Sequence, residues 1–418
     1  MKILQGALER ALQGLPDQFL LELVAKKLSV HGVSLSVRER KQLAKRLTGG
    51  TLDTFRIRNL KFWDRRRIKI EFTEEEIEGA GKKFTEFIEA RLPELILAST
   101  DDLSQKILAD LKRKWPAEAR RQRRQWAGFS KRLYERWRLP IEGLKMLLTI
   151  SREFGARMNE EIRVSKELKS RRDLVEVLTR SHARACQITE EVICLLGAGF
   201  ADGAMGRWRT LHEIAVIASF IGAHGDDLAE RYSLHQIVES KRAADDYENF
   251  RVRLGREPLK ASEIKKLQES FEALGQRFGR DFLTPYGWAA HHLRMGRPKF
   301  RDIEEAARID HLRPYYRLAS HSVHANPKGI FFQLGLLRES QILLSGPSNA
   351  GLVDPGHGTA ISLAQVSVAL GNLQTTIDNV VALKIILQLV DEVGEAFAEA
   401  QAKLENDTAR LGSSVQLC

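Results

Sequence analysis

The stretch that decides the fold is RPYYRLASHSVHANPKG, which runs from residue 313 to residue 329. Pro314 suits the first turn of a helix, where its missing N–H is not needed. Asn326-Pro327 predicts the end of that helix, because the residue before a proline disfavours helical backbone. We therefore predict a short helix within a mainly α domain. The apolar residues that can anchor this helix in a core are Leu318, Ala319 and Val323.

Another side of the same helix carries one arginine and two histidines. At about 100° per residue, Arg317, His321 and His324 fall within roughly 60° of one another. An arginine keeps its charge at physiological pH, and imidazoles titrate near neutrality, so the combination suits chemistry on phosphate. The sequence nominates these three residues as a site but does not say what the site acts on.

The pattern from Lys166 onward is almost purely helical. A long helix over 171–196 ends at Gly197-Ala198-Gly199, and an amphipathic helix follows. One face of that following helix holds Arg209 and Glu213, four residues apart. These two side chains either pair with each other or reach the nominated site from a neighbouring helix.

The end of the chain contains a loop and a last helix. Residues 345–358 are rich in Gly, Pro, Ser and Asn, which predicts a loop. The pattern then predicts one helix over 359–404. We predict a helical domain over 166–405 and a mobile tail over 406–418.

The first part of the chain differs from the rest in its charge. Residues 1–165 carry 35 Lys and Arg against 23 Asp and Glu, whereas residues 166–418 carry 31 against 32. This asymmetry predicts a separate basic domain over 1–165, a candidate for binding nucleic acid.

Short motifs predict the elements of this basic domain. Ser36-x-x-Glu39 and Thr73-x-x-Glu76 are capping boxes that predict helix starts. Residues 55–58 and 67–72 alternate apolar and charged side chains, which predicts a small β element. Helix breaks are predicted at Ser99-Thr100, Trp115-Pro116 and Leu139-Pro140.

The stretch 117–138 is rich in arginine, has few acidic residues and contains interleaved aromatic side chains. Charge runs usually mark a solvated helix face, but like charge at this density also favours an anionic partner such as nucleic acid. The residues that we predict to contact nucleic acid are Arg56, Arg58, Arg67, Arg120, Arg121, Arg123, Arg124, Lys131 and Arg132.

Composition narrows the function classes. The chain is 43% apolar and 29% charged, as in an ordinary soluble globular protein, and no apolar run is long enough for a membrane span. Three cysteines form neither a disulfide framework nor a zinc pattern, which favours a reducing cytoplasm. The spacing of His291-His292 relative to the later histidines matches no metal motif, so we expect no metal and no cofactor.

Three segments occur in the order found in one bacterial family. The first is 206–213, with an Arg-x-x-x-Glu pattern; the second runs from Trp288 through 303–307; the third is 316–325, with Tyr316 and Ser320 in its signature. Over residues 170–340, and up to about 405, the chain resembles the domain of unknown function 5677 (DUF5677) family, whose members look HEPN-like.

This resemblance implies an all-α bundle that acts in anti-phage or abortive-infection defence, with RNA as the favoured partner. HEPN ribonucleases use an arginine and a histidine on one helix, usually in a homodimer, and the six residues between Arg317 and His324 fit their spacing. The resemblance implies metal-independent RNA cleavage with His324 as acid and base, Arg317 stabilising charge and His321 assisting. HEPN ribonucleases usually have a polar residue after the arginine, where this chain has Leu318.

Two other functions stay open. In the first, the protein is a non-enzymatic binding or sensing module whose Arg, His and Glu side chains form a structural network, with Arg209, Glu213, Tyr316 and Ser320 as supporting members. In the second, residues 1–165 make the protein a DNA-binding regulator. A partner protein from the same defence system is compatible with each of the three functions.

Overall fold

The computed structural model describes residues 15–47, 69–336 and 343–415. Helices joined by short turns make up these residues, and no β-strand occurs among them, which confirms the mainly α fold. Of the predicted β element, residues 55–58 and 67–68 lie outside the described residues. Residues 69–72 are described and do not form a strand.

The chain divides into two compact units, Met1–Arg124 and Gln125–Cys418. The sequence placed the boundary after residue 165, where the charge balance changes. The structural division falls earlier because residues 125–164 bury apolar side chains in the core of the second unit. These side chains are Leu133, Trp137, Ile141, Leu144, Leu147, Leu148, Phe154 and Met158.

The first unit contains α1 (Leu15–Val30), α2 (Val37–Leu47) and the first part of α3 (Glu74–Val164). Both capping boxes are confirmed. The Ser36 amide donates to Glu39 Oε2 at 3.0 Å, and the Thr73 amide donates to Glu76 Oε2 at 3.0 Å. A small core formed by Leu28, Val33, Leu35 and Leu43 holds α1 and α2 together.

Helix α3 runs without interruption through the positions of all three predicted breaks, so those predictions were wrong. A proline inside a helix removes one hydrogen bond and costs roughly 3 kcal/mol. At Pro140 that cost is offset by burial, because Trp137 on one side and Leu144 on the other are both fully buried at helical spacing.

The remaining helices belong to the second unit. In chain order they are α4 (Lys166–Ser170), α5 (Arg172–Gly197), α6 (Ala201–His224), α7 (Asp226–Leu234), α8 (Gln236–Phe250), α9 (Ala261–Phe278), α10 (Ala290–Leu293), α11 (Phe300–Ala306), α12 (Arg313–Val323), α13 (Pro327–Phe331), α14 (Val353–Gly371) and α15 (Ile377–Val415). Helices α5, α6 and α14 pack against one another, α15 packs on α14, and α12 packs on α6.

The glycine-rich stretch before residue 359 is not all loop as predicted, because α14 begins at Val353. A Cβ atom on Gly356 would lie 2.2 Å from Phe397 Cζ, and one on Gly358 would lie 2.9 Å from Trp208 Nε1. These two glycines therefore allow close helix contacts in the core rather than a flexible connection.

The end of the chain also differs from the prediction. Two helices, α14 and α15, replace the single helix over 359–404, and α15 continues to Val415. Arg136 Nη2 contacts Asp407 Oδ2 at 2.6 Å inside the segment predicted to be a mobile tail. The helix thus continues beyond residue 405, and the mobility of the tail stays a prediction.

Candidate functional site

Helix α12 starts where the sequence predicts it, with Pro314 in its first turn, but it ends at Val323 rather than after His324. His324 is the C-cap residue and has an extended backbone, so it does not lie on the predicted helical stripe. Ala319 is fully buried against Met205 and Trp208 of α6. Val323, which we expected in the core, is 51% exposed because the helix ends there. The face of α12 that packs on α6 thus centres on Tyr316 and Ala319.

Arg209 of α6 is the arginine that meets His324. Its Nη1 lies 3.3 Å from His324 Nε2, and its Nη2 donates to the Tyr316 hydroxyl at 2.9 Å. The Nε atom of Arg209 lies 3.3 Å from Glu213 Oε1. An arginine can only donate, so Nε2 of His324 is the acceptor and a neutral His324 carries its proton on Nδ1.

Tyr316 connects α12 to the Arg209–Glu213 pair. Its hydroxyl donates to Glu213 Oε1 at 2.7 Å and accepts from Arg209. Burial, followed by the hydrogen bond to Glu213, raises the pKa of Tyr316 to about 12. Tyr316 therefore stays protonated at neutral pH and serves as a hydrogen-bonding link.

A largely buried hydrogen-bonded network lies next to the Tyr316 ring. His212 Nε2 lies 2.9 Å from Glu304 Oε1, and both side chains have no exposed area. Arg313 Nη1 donates to Glu304 Oε2 at 2.5 Å. Although burial acts to raise it, hydrogen bonds from His212 and Arg313 hold the pKa of Glu304 below its ordinary value.

The Tyr316 ring is held on several sides. The guanidinium carbons of Arg209 and Arg313 lie 4.8 and 5.4 Å from its centroid. The Phe300 ring stacks on it at 5.1 Å, and the His212 ring lies at 5.7 Å. Cation–π and aromatic contacts thus fix the position from which the hydroxyl group orients Arg209.

Arg317 stays apart from this network. Its side chain is exposed and has no hydrogen bond or ion pair within the ranges that the structure describes. Ser320 Oγ donates to the Tyr316 carbonyl at 2.8 Å, a local helix contact. The structure therefore pairs His324 with Arg209 and leaves Arg317 free on the same helix.

His321 is oriented by Asn326. The Gly329 amide donates to Asn326 Oδ1 at 2.8 Å, which identifies the side-chain nitrogen of Asn326 as the donor to His321 Nδ1, also at 2.8 Å. A neutral His321 then carries its proton on Nε2. The two histidines of the predicted stripe thus hold opposite tautomers.

The other histidine pair lies elsewhere. His292 Nε2 is 3.5 Å from Asp227 Oδ2, and its ring lies 5.3 Å from the His224 ring. No group of three or more His, Cys, Asp or Glu side chains in the described ranges has a geometry that could hold a metal ion.

The predicted nucleic-acid residues fall into three sets. Arg56, Arg58 and Arg67 lie outside the described residues. Arg120, Arg121, Arg123 and Arg124 are exposed on the part of α3 in the first unit, where Arg121 pairs with Glu118 at 2.8 Å. Lys131 and Arg132 are exposed on the part of α3 in the second unit. The described members are all accessible, and their contact with nucleic acid stays a prediction.

Residues 175–340 match the model of DUF5677, a family of unknown function. The chain carries a DUF5677 region. The match begins within α5, includes α6 and α12, and ends after α13, so the arginine, tyrosine and histidine cluster lies inside it. No curated protein and no solved structure matches the chain. The resemblance to DUF5677 is therefore confirmed, and the HEPN likeness stays a prediction.

The DUF5677 region covers part of the second unit. Helices α14 and α15 and residues 125–164 of α3 share its core but lie outside the match. None of the helices in the described ranges combines the length and hydropathy of a membrane span.

Sequence reasoning missed the parts of the site that depend on burial. His212, Glu304, Arg313 and Asn326 have ordinary sequence surroundings, and only their contacts distinguish them. A helix-face argument could have found His212, which lies one turn after the core residue Trp208.

Proposed function

We propose that the second unit is a metal-independent endoribonuclease of a bacterial anti-phage or abortive-infection system. The observation that supports it best is the contact between Arg209 and the exposed His324, with Arg317 exposed on the same helix. Arginine donors beside a titratable imidazole suit the phosphodiester of RNA. The proposal also draws on the HEPN resemblance of the DUF5677 region.

The reaction uses His324 first as a base and then as an acid. The ribose 2′-oxygen attacks the adjacent phosphorus, and its proton passes to His324. The bond from phosphorus to the 5′-oxygen breaks, and that oxygen takes the proton that His324 has gained, which returns His324 to its neutral form, with His321 assisting. The products are a 2′,3′-cyclic phosphate and a 5′-hydroxyl, and Arg209 and Arg317 stabilise the charge on the phosphorane.

Substrate binding has to change one contact. In the structure Arg209 Nη1 is hydrogen-bonded to Nε2 of His324, and Nε2 is the atom that would accept the proton. A bound phosphate competes for the same donor, because its oxygen is anionic and the imidazole nitrogen is neutral. Phosphate binding to Arg209 would thereby free Nε2 of His324 to accept the proton.

The test is RNA cleavage in EDTA by wild-type protein, His324→Ala and His311→Ala, with labelled total RNA and tRNA. His311 is an exposed histidine outside the cluster, which makes it a matched control. We expect cyclic-phosphate ends from wild type and His311→Ala and none from His324→Ala. Cleavage by His324→Ala at the wild-type rate would exclude this mechanism.

A second candidate is a non-enzymatic binding or sensing module. The mutual hydrogen bonds of Arg209, Glu213 and Tyr316 favour it, since a structural network needs no substrate. It predicts that wild-type protein leaves all RNAs intact and that Arg209→Ala lowers the melting temperature. Wild-type cleavage in EDTA argues against this candidate.

We extend the proposal to the partners and the location of the protein. The exposed arginines of α3 contact nucleic acid, the active form is a cytoplasmic homodimer, and a second protein of the same system is a candidate partner. Sedimentation of the full chain tests the dimer. A salt series of RNA binding tests the arginines, since each lost phosphate contact lowers the salt dependence.

A further inference from the structure

The segment after α12 is fixed at both ends. At its start, Asn326 bonds to His321 and to the Gly329 amide. At its end, the Leu334 amide donates to Asp202 Oδ1 of α6 at 3.1 Å. These anchors hold residues 326–334 against the helices that carry the candidate site.

The residues between the anchors are apolar and exposed. Phe331 is 88% exposed, Ile330 is 63% exposed and Phe332 is 46% exposed. We call these three residues the apolar patch. Within it Phe331 lies one turn after the exposed Lys328 of α13, so an aromatic ring and a cation share one face of that helix.

The charged residues near this patch indicate which class of ligand binds it. Arg317 and Lys328 are exposed, and the sequence has no acidic residue between Asp310 and Glu339. Asp202 of α6 lies at the far end of the segment, where its Oδ1 accepts from the Leu334 amide. Exposed aromatic rings among cations are the elements with which proteins bind single-stranded nucleic acid, the rings stacking on bases and the cations meeting phosphates.

The patch is also close to the candidate site. A Cβ atom on Gly329 would lie 2.0 Å from the His321 carbonyl oxygen and 3.3 Å from that of His324, so the chain crosses the end of α12 at this point. Phe331 follows two residues later, and its Cα is therefore within roughly 8 Å of the Gly329 Cα. A base next to a phosphate at His324 is within reach of this ring.

We propose that Phe331 is a stacking platform for an unpaired base, which makes single-stranded RNA the substrate class of this site. The inference rests on the proposed function for the choice of RNA, and its binding step does not require cleavage. Bases of a duplex are stacked on their neighbours and cannot offer a free face to Phe331, so the site selects single strands.

The experiment measures binding separately from cleavage. The probe is a fluorescent single-stranded oligonucleotide with 2′-fluoro sugars, which lacks the attacking hydroxyl, and its duplex serves as the comparison. The proteins are full-length wild type, Phe331→Ala, Phe331→Leu and Phe331→Trp. Phe250→Ala is the matched control, because Phe250 is an exposed phenylalanine outside the patch.

We expect Phe331→Ala to weaken single-strand binding about tenfold, the size of one lost base–aromatic stack. Phe331→Leu should lose most of the affinity, because it keeps an apolar side chain without a π face. Phe331→Trp and Phe250→Ala should bind as wild type does. Duplex binding should be the same for all of these proteins.

Other results would overturn the inference. If Phe331→Ala binds the single strand as tightly as wild type does, Phe331 is not a stacking platform. A Phe331→Ala protein that binds RNA normally but no longer self-associates in sedimentation assigns the patch to a second copy of the chain instead.

The two proposals fail in different ways. If wild-type protein cleaves no RNA but Phe331→Ala weakens binding, the ribonuclease fails and the platform stands. If His324→Ala abolishes cleavage and Phe331→Ala binds normally, the ribonuclease stands and the platform fails.

Discussion

Two groups of polar side chains lie near Tyr316, and their central members differ in burial. The inner layer consists of His212, Glu304 and Arg313. The outer layer consists of Arg209, Arg317, His321 and His324. Glu304 has no exposed area and has a partner on each carboxylate oxygen, whereas Arg317 and His324 are exposed. The arginines do not divide in this way, since the side chain of Arg313 is 28% exposed and that of Arg209 is 21% exposed. Buried polar groups must satisfy one another, so His212 and Glu304 stabilise the fold, and Arg317 and His324 are available to a ligand.

Removing the centre of the inner layer should have the largest effect. Glu304→Ala leaves His212 and Arg313 without their shared carboxylate, and we expect a loss of about 3–5 kcal/mol in the free energy of unfolding. Urea denaturation measures it. Glu305→Ala is the control, since within the described ranges Glu305 has one ion pair, with Arg301 on the surface, and its loss should cost less than about 1 kcal/mol. Similar stabilities for the two variants would contradict the structural role of the inner layer.

A second buried histidine, His182, has a hydroxyl group as its partner where His212 has the carboxylate of Glu304. His182 has Ser367 Oγ at 3.2 Å as its partner, and burial lowers its pKa to about 4. The unfolded chain, with a histidine pKa of about 6.5, binds the proton more readily. The stability is therefore complete above pH 6.5 and falls by about 3 kcal/mol as the pH drops to 4.

The measurement for His182 is urea denaturation across this pH range. In His182→Gln the part of the slope due to His182 should disappear, whatever the variant costs at neutral pH. An unchanged slope in the variant would show that His182 is not buried in its neutral form.

Removing the Tyr316 hydroxyl group, which bonds to Arg209 and Glu213, should have an intermediate effect on stability. Tyr316→Phe keeps the ring between Arg209 and Arg313 but removes the hydroxyl that joins Arg209 to Glu213. We expect a loss of about 1–2 kcal/mol, measured by thermal unfolding. Tyr315→Phe, at an exposed tyrosine, should change nothing. A wild-type melting temperature for Tyr316→Phe would mean that the hydroxyl does not support Arg209.

The smallest effect on stability is expected in the outer layer. Arg317→Ala should change the free energy of unfolding by less than about 0.5 kcal/mol, because the side chain is exposed and has no partner in the described ranges. The proposed ribonuclease should nevertheless lose most of its cleavage rate with this variant. A large drop in melting temperature with unchanged cleavage would place Arg317 in a structural network.

Local sequence rules were sufficient for several elements. The capping boxes at Ser36 and Thr73, the glycine break after α5 and the start of α12 were all predicted, because each depends on residues within one helical turn. The same rules failed at Pro140, Gly356 and Gly358. There, packing against Trp208 and Phe397 or burial beside Trp137 decided the backbone, and those partners are far away in the sequence.

The candidate site also has one part that the sequence predicts and one part that depends on packing. The positions of Arg317 and His321 follow from helical geometry, but His324 is the extended C-cap of α12 and lies outside the helix. The resemblance to DUF5677 follows from the order of its motifs. Which arginine meets His324, and which carboxylate is buried, depended on how α6, α11 and α12 pack. The sequence by itself determined the helices and the residues that they carry. Tertiary structure alone decided which of those residues are paired and which are exposed, because pairing and burial depend on distances between segments that are remote in the chain.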